Sequence, residues 1–213
     1  MPLYSFLIIT AIGIALWQWI LLPSPRARFF VALGIIIIAA FALEVYGGIT
    51  SVLIINNNLF YNLFGLAEGL LVLWLVGTLR PNWKWPLIAG GVLLAMAFAA
   101  NVHIRGIHTL LLEMVLLNAF VCCLFLMSTL WWLAQNSTVP LQKLPEFWIL
   151  LGLLLYFAGI VPTIGAYEFI YRDRALGEKL FLIVQGMCII RYLLTAYGCN
   201  LARKKAGWMI PLA

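Results

Sequence analysis

The sequence has very little charge: only 9% of its 213 residues are Asp, Glu, Lys or Arg. A soluble domain carries roughly 25% charged residues. With 65% hydrophobic residues and a mean hydropathy of +1.08, the chain has too few polar side chains to cover a water-exposed surface. The composition therefore excludes a soluble domain and predicts a protein whose solvent is the lipid bilayer.

Histidine and cysteine are also scarce, with two and four copies. His103 and His108 flank a predicted turn, and their spacing matches no common zinc signature. The cysteines lie in or beside apolar segments, which argues against a disulfide framework. The last apolar segment lacks the deep lysine of a retinal protein, and no Gly-x-Ser has a partner histidine. The sequence thus predicts no metal, no cofactor and no catalytic residues.

Acidic residues are fewer than basic ones, which gives a net charge of +6. The bases form no patch or stripe suited to DNA, so nucleic acid is not a predicted partner. Membrane proteins carry an excess of Lys and Arg in their cytoplasmic links, and this excess explains the charge.

What the chain has in abundance is long apolar runs. A spanning helix needs about 20 mostly apolar residues, and seven stretches qualify. We predict an all-α polytopic transmembrane bundle of about seven helices, forming a single transmembrane domain over residues 1–213. The run 49–55 leaves two alternatives, an extension of the second helix or an interfacial hairpin. The predicted spans are Pro2–Leu22, Phe29–Gly47, Leu59–Leu79, Trp85–Asn101, His108–Ala134, Phe147–Ala166 and Leu180–Asn200.

The distribution of bases predicts the orientation. Alternate links and the C-terminal tail carry eight bases and one acid, Glu146, whereas the bases in the other links are largely offset by acids. The positive-inside rule then puts the C-terminus in the cytoplasm and the N-terminus outside, in a bacterial cytoplasmic (inner) membrane. The bases on the predicted cytoplasmic side are Arg26, Arg28, Arg80, Lys84, Lys143, Arg203, Lys204 and Lys205.

Polar residues at apolar depth are the candidates for function, because an ionised side chain there is costly unless it is paired or hydrated. At 1.5 Å per residue, Glu68 lies roughly 13 Å into its helix, close to the midplane. Several carboxylates and amides fall in the predicted outer half, whereas the inner half is mostly apolar. The predicted ligand-binding residues are Glu44, Tyr61, Asn62, Glu68, Asn101, Glu113, Asn118, Gln185 and Arg191.

Two interpretations of these polar residues remain open. In one, they line a water-accessible pocket that faces outward and binds a small ligand or ion. In the other, Glu68 or Glu113 pairs with Arg191, and the amides hold helices together through interhelical hydrogen bonds.

The segment from Glu44 to Glu68 resembles a poorly characterised group of small seven-helix membrane proteins from Bacteroidota. The shared features are a helix-2 glutamate, the asparagine-rich turn Asn57-Asn58, the Tyr61-Asn62-Leu63-Phe64 step and the helix-3 glutamate Glu68. The resemblance implies the same topology and draws attention to Glu44, Tyr61, Asn62 and Glu68. It supplies no activity.

Three functions follow as hypotheses. The first is a receptor-like or sensory module that binds a small ligand and passes the change to a membrane or cytoplasmic partner protein, because the chain has no effector domain of its own. The second is a small-molecule or proton-coupled transporter with Glu68, Glu113 and Arg191 in a relay. The third is an intramembrane lipid-modifying enzyme using Glu44 with His103 or His108.

Overall fold

A computed structural model describes residues 3–53, 57–165 and 174–208 of the chain. These ranges form seven long helices and two short 3-10 turns, Pro81–Trp83 and Leu141–Lys143, with no strand among them. The predicted all-α class is therefore confirmed. The helices are α1 (Leu3–Ile20), α2 (Arg28–Val52), α3 (Asn58–Leu79), α4 (Lys84–Arg105), α5 (Leu112–Asn136), α6 (Pro145–Gly165) and α7 (Arg174–Trp208).

Six of these helices, α2 to α7, contain segments that are long and apolar enough to cross a membrane. The first helix is shorter, with 18 residues, which lies at the lower end of the usual length for a spanning helix. It is nevertheless a core element, because Ile12 and Ala15 are completely buried against its neighbours.

Several helix boundaries differ from the predicted spans; among them, α4 ends at Arg105 and α7 at Trp208, both later than predicted. The second helix continues through Val52, so residues 49–52 extend it, while residues 54–56 lie outside the described ranges. The fifth helix begins at Leu112 rather than at His108. The seventh begins at Arg174, earlier than expected. The charged link predicted before it falls largely on residues 166–173, which are also outside the described ranges.

Six helices form a closed ring in the order α1, α2, α3, α5, α6, α7, with α7 packing back against α1. The fourth helix lies outside this ring and packs against α3 and α5. Only 11% of its apolar span is buried, compared with 39% for each of the other five long spans. Most of its surface is therefore left for lipid.

Two glycines let the backbones of α6 and α7 approach each other closely. A methyl group at Gly152 would lie 2.9 Å from the carbonyl oxygen of Arg191, and one at Gly198 would lie 2.8 Å from that of Pro145. Small residues let helix backbones approach closely in membranes, where packing rather than hydrophobic burial drives association. These two glycines hold α7 at the depth where Arg191 enters the core.

Short links between successive helices give the bundle two distinct ends. We call the end that carries links 21–27, 80–83 and 137–144 the basic face, and the end that carries links 53–57 and 106–111 the opposite face. Indole groups anchor the basic face: the Trp19 Nε1–H donates to the Phe30 carbonyl at 2.6 Å, and the Trp148 Nε1–H donates to the Gln142 carbonyl at 2.9 Å. Tryptophans of this kind are enriched where a membrane meets water.

Candidate functional site

The interior of the ring contains an ion pair between α3 and α7. Nη1 of Arg191 lies 2.6 Å from Oε1 of Glu68, and the two side chains are only 2% and 4% exposed. At 1.5 Å per residue, Glu68 is about 15 Å below the start of α3. An arginine and a glutamate at this depth neutralise each other and so avoid much of the cost of isolated charges in hydrocarbon.

Two tyrosines surround the guanidinium of Arg191. Its Cζ atom lies 4.6 Å from the ring centroid of Tyr156 on α6 and 5.0 Å from that of Tyr192 on α7. An arginine within about 6 Å of an aromatic ring gains a cation–π interaction that is strongest when water is excluded. We call Glu68, Arg191, Tyr156 and Tyr192 the polar centre.

The ion pair leaves hydrogen-bonding capacity unused. The Glu68–Arg191 contact has the distance of an ion pair but not the angle of a hydrogen bond, so Oε1 of Glu68 has no hydrogen-bond donor among the described residues. Nη2 of Arg191 likewise has no acceptor among these residues. The buried Oε1 of Gln185 has no donor among them either. Each unsatisfied buried group costs about 1–3 kcal/mol, more when it is charged. The polar centre thus has an unused donor, Nη2 of Arg191, beside an ion-paired carboxylate oxygen that accepts no aligned hydrogen bond from the described residues.

A second carboxylate lies near this pair. Glu44 is half-buried on α2, and its charge interacts electrostatically with that of Glu68. The same charge also acts on Cys188 and Tyr192 of α7. Among the described residues Arg191 forms its ion pair with Glu68, so Glu44 approaches that pair from a different helix as a second negative charge.

Asn118 on α5 connects the centre to α3. Its Nδ2 donates to the Gly65 carbonyl at 2.9 Å, and its Oδ1 accepts a hydrogen bond from the Cys122 thiol at 3.6 Å. Gly69 makes this approach possible, because a methyl group at that position would overlap the Asn118 amide. One amide N–H thus joins α5 to α3, while the amide oxygen is bonded within α5.

Asn62 on α3 holds the link between α4 and α5. Its Nδ2 donates to the carbonyls of Ile107 and Thr109 at 2.9 and 2.7 Å, and its Oδ1 accepts from the Leu111 N–H at 3.1 Å. The link begins at Gly106, whose φ of 77° is a conformation that side chains disfavour. These contacts delay the start of α5 until Leu112.

Tyr61 lies at the contact between α2 and α3. Its hydroxyl packs against Gly47, and a methyl group there would overlap it. Nearby, the Asn57 Nδ2 donates to Thr50 Oγ1 at 3.1 Å, and the rings of Tyr46 and Phe60 lie 4.6 Å apart. Tyr61 therefore belongs to the packing of the opposite face.

Asn101 and Glu113 make local contacts away from the polar centre. The Asn101 Nδ2 donates to the Ala97 carbonyl of its own helix at 2.9 Å. Glu113 forms an ion pair with Arg105 in which both side chains are about half exposed. Of the predicted residues, Glu68 and Arg191 are in contact, and Glu44 lies within electrostatic range of Glu68. The Gln185 Oε1 has no hydrogen-bond partner among the described residues, and Tyr61, Asn62, Asn101, Glu113 and Asn118 make contacts elsewhere.

Sequence reasoning missed two groups of residues. Tyr156 lies within an uninterrupted apolar run, and nothing in its sequence context indicates that its ring faces an arginine. Arg28, Arg80 and Lys84 served only to predict orientation, yet the structure brings them to one cavity. Contacts across helices, which no local pattern contains, create both groups.

The remaining ionisable residues offer no metal centre within the described ranges: they contain no group of three His, Cys, Asp or Glu that could hold an ion. His103 and His108 are exposed at the opposite face, and all four cysteines are free. The third hypothesis needs Glu44 on α2 near a histidine; His103 is on α4, which packs against α3 and α5, and the His108 carbonyl accepts a hydrogen bond from Asn58 Nδ2 at the start of α3 at 3.0 Å.

Together the apolar helices, the buried ion pair and the lipid-facing fourth helix define the class: this is a multi-pass α-helical integral membrane protein. No family model matches the sequence, and no match was found among curated proteins or solved structures. The resemblance to small seven-helix proteins of Bacteroidota accordingly stays a prediction.

Proposed function

We propose that this protein is a receptor-like or sensory membrane module whose polar centre binds a small polar ligand entering from the opposite face. The observation that carries this proposal is the buried ion pair, in which Nη2 of Arg191 has no acceptor and Oε1 of Glu68 accepts no aligned hydrogen bond among the described residues. A ligand with adjacent donor and acceptor atoms would satisfy both. Amino acids, amides, ureas and small hydroxy acids have that arrangement.

The surroundings of the pair support a response to binding. Arg191 is on α7 and Glu68 is on α3, which are not neighbours in the ring, so their side chains meet across its interior. A ligand inserted between them would change the spacing of these helices. Small helix shifts at a core contact are a common way to pass a signal to a partner protein.

The test is thermal unfolding of the purified protein in lipid nanodiscs against a panel of these four compound classes. We expect at least one class to raise the melting temperature of the wild type and to have no effect on the double variant Glu68→Gln/Arg191→Gln. Glu113→Gln is the matched control, because it removes an equivalent charge from an exposed pair and should keep the shift.

A panel in which no compound stabilises the wild type more than the double variant would contradict the proposal. The same conclusion follows if Glu113→Gln abolishes the shift as completely as the double variant does, because binding would then depend on surface charge.

A proton-coupled transporter is a second candidate, favoured by the position of Glu44. Glu44 lies within electrostatic range of Glu68, whose charge Arg191 already neutralises, so Glu44 needs a proton, a cation or water when the site is closed. A group of this kind can load and release a proton as the protein changes conformation.

Proteoliposomes that enclose a pH-sensitive dye separate the two candidates. Transport predicts substrate-dependent acidification that is lost in Glu44→Gln and kept in Glu113→Gln. Ligand-induced stabilisation without any proton movement favours the sensory module.

A further inference from the structure

A cavity at the basic face lies between α3 and α4, outside the ring that encloses the polar centre. It occupies about 490 Å³ between the second half of α3 and the first half of α4, and Arg28 at the start of α2 completes one end. This volume is within the range of about 300–1,000 Å³ typical of small-molecule sites. Its lining residues are Arg28, Leu70, Leu73, Trp74, Gly77, Thr78, Arg80, Pro81, Lys84, Leu87, Ile88 and Gly91.

We call this cavity the basic groove. Its lining includes three cations from separate parts of the chain. Arg28 is the first residue of α2, Arg80 follows α3, and Lys84 is the first residue of α4. No acidic residue lines the groove, and none of the three forms an ion pair within the part of the chain that the structure describes. Three positive charges thus converge without a protein counterion.

The three cations differ from a basic neighbour that has a structural role. Arg26 donates to the Ile20 carbonyl at 3.0 Å and lies 4.0 Å over the ring of Trp19, so it fixes the link between α1 and α2. Arg28 and Lys84 are exposed and make no side-chain hydrogen bond within residues 3–53, 57–165 and 174–208. Their charged groups remain available to a ligand.

Arg80 is partly anchored but keeps free donors. Its Cζ lies 3.3 Å from the ring centroid of Trp83, and its Nη1 donates to the Ser128 carbonyl at 3.4 Å. Partial burial lowers its pKa from the ordinary value, and no carboxylate opposes that effect. A guanidinium has five N–H donors, so most remain for an anion.

The rest of the groove is apolar and faces lipid. Leu70, Trp74 and Ile88 are 39%, 46% and 44% exposed, although they belong to helices that span the membrane. A methyl group at Gly77 would lie 3.2 Å from Leu87 Cδ1 and one at Gly91 would lie 3.4 Å from Leu70 Cδ2, so these glycines let α3 and α4 approach each other beside the groove. A hydrocarbon chain would lie against these residues, while a polar group at its end would reach the three cations.

We propose that the basic groove binds a bilayer phospholipid with an anionic phosphate headgroup. The phosphate contacts Arg28, Arg80 and Lys84, and one acyl chain lies between α3 and α4 along Leu70, Trp74 and Ile88. Charge complementarity selects the headgroup, and the lateral opening of the groove selects a molecule already dissolved in the membrane. Such a lipid would also fill the weakly packed interface of α4.

The test uses nanodiscs that contain equal amounts of dioleoylphosphatidylglycerol and dioleoylphosphatidylcholine. Native mass spectrometry counts the lipids retained when the protein is released. We expect the wild type to retain one phosphatidylglycerol molecule selectively. Each basic residue near an anionic surface contributes about fivefold to affinity, so Arg28→Gln/Arg80→Gln/Lys84→Gln should reduce this selectivity on the order of 100-fold.

The matched control is Arg203→Gln/Lys204→Gln/Lys205→Gln, which removes three bases at the end of α7 and outside the groove. It should keep the selective retention. Equal loss in both triple variants would overturn the proposal in favour of diffuse surface electrostatics. Equal retention of phosphatidylcholine would overturn it in favour of apolar packing alone.

A third arm distinguishes a lipid from a soluble anion. Inorganic phosphate is added to the same nanodiscs in excess over the lipid. If the retained phosphatidylglycerol persists, the lipid assignment is supported. Complete displacement by inorganic phosphate would overturn it, because the groove would then be a site for a water-soluble phosphate.

Discussion

Arg191 is a fully buried arginine inside a bundle that is otherwise mostly apolar, and its environment is specific. One carboxylate, two aromatic rings and a glycine-lined helix contact surround it. An arginine cannot lose its charge in a protein, whereas a glutamate can take up a proton. The two members of the ion pair are therefore not equivalent when one of them is removed.

This asymmetry gives a prediction for single variants. Glu68→Gln leaves a permanent charge in the core and should lower the free energy of unfolding by about 3–5 kcal/mol. Arg191→Gln should cost less, because the remaining Glu68 becomes neutral by binding a proton. Thermal unfolding in a single detergent measures both effects.

The double variant Glu68→Gln/Arg191→Gln should recover much of the stability lost in Glu68→Gln. Glu113→Gln, which breaks a half-exposed pair, should change stability by at most about 1 kcal/mol. If both core variants behave like Glu113→Gln, the buried pair does not exist as described.

Asn62 carries a second prediction at the residue scale. Asn62→Ala removes three hydrogen bonds to the link between α4 and α5 and should cost about 1–3 kcal/mol. Hydrogen exchange at the Leu111 amide, which now donates to Asn62 Oδ1, should become faster.

Asn101→Ala is the matched control for this change, because Asn101 donates only to a carbonyl of its own helix. It should leave exchange at Leu111 unaltered. Unchanged exchange in Asn62→Ala would mean that the link is held by other contacts.

At the scale of the elements, α6 and α7 depend on glycines at which the helices approach each other. Gly152→Ala would place a methyl group 2.9 Å from the Arg191 carbonyl oxygen, a backbone atom that cannot rotate away. We expect a loss of about 1–3 kcal/mol from overpacking, measured by thermal unfolding. Gly198→Ala should act in the same direction, because its methyl group would lie 2.7 Å from Ile149 Cγ1.

Gly186→Ala on α7 is the control for this prediction, because a methyl group there meets nothing within 4 Å. Alanine favours helix over glycine by about 1 kcal/mol, so this variant should be neutral or slightly stabilising. Equal destabilisation at positions 152 and 186 would show that the effect comes from the helix itself rather than from the contact.

The seventh helix is also unusually long. Its 35 residues extend over about 52 Å, whereas the hydrocarbon core is about 30 Å thick. The apolar span, residues 182–205, is the part that fits the membrane, so the helix continues beyond hydrocarbon on the opposite face. A rigid extension of this kind connects the depth of Arg191 to the aqueous phase.

At the scale of the whole molecule, the closed ring of six helices and the peripheral α4 are compatible with either orientation in the membrane. Charge predicts that the basic face is cytoplasmic. Single cysteines added at exposed positions test this: His103→Cys on the opposite face and Thr138→Cys on the basic face. The native cysteines provide a low background, because Cys122, Cys188 and Cys199 are buried and Cys123 is partly buried.

In intact cells, a membrane-impermeant maleimide should label His103→Cys, while Thr138→Cys should react only after the membrane is permeabilised. The reverse pattern would invert the predicted topology and would move the basic groove to the outer leaflet. Labelling of both positions in intact cells would indicate mixed insertion.

The sequence by itself determined the class and the approximate positions of the seven helices, because apolar length and the charges that interrupt it are local properties. It also offered Glu68, with Glu113 as the alternative, as the ion-pair partner of Arg191, and the structure pairs Arg191 with Glu68. The two alternatives for residues 49–55, an extension of α2 or an interfacial hairpin, depended on where α2 ends. The structure shows α2 continuing to Val52.

Only the tertiary structure decided which polar groups meet. Asn62 and Asn118 could have lined a pocket or joined helices, and their contacts with the α4–α5 link and with the Gly65 carbonyl join them to neighbouring elements. The order of helices in the ring brings Tyr156 to Arg191. The position of α4 outside the ring brings Lys84 to the cavity that Arg28 and Arg80 also line. That order depends on side-chain packing between helices that are distant in sequence, which periodicity and composition along a single chain do not specify.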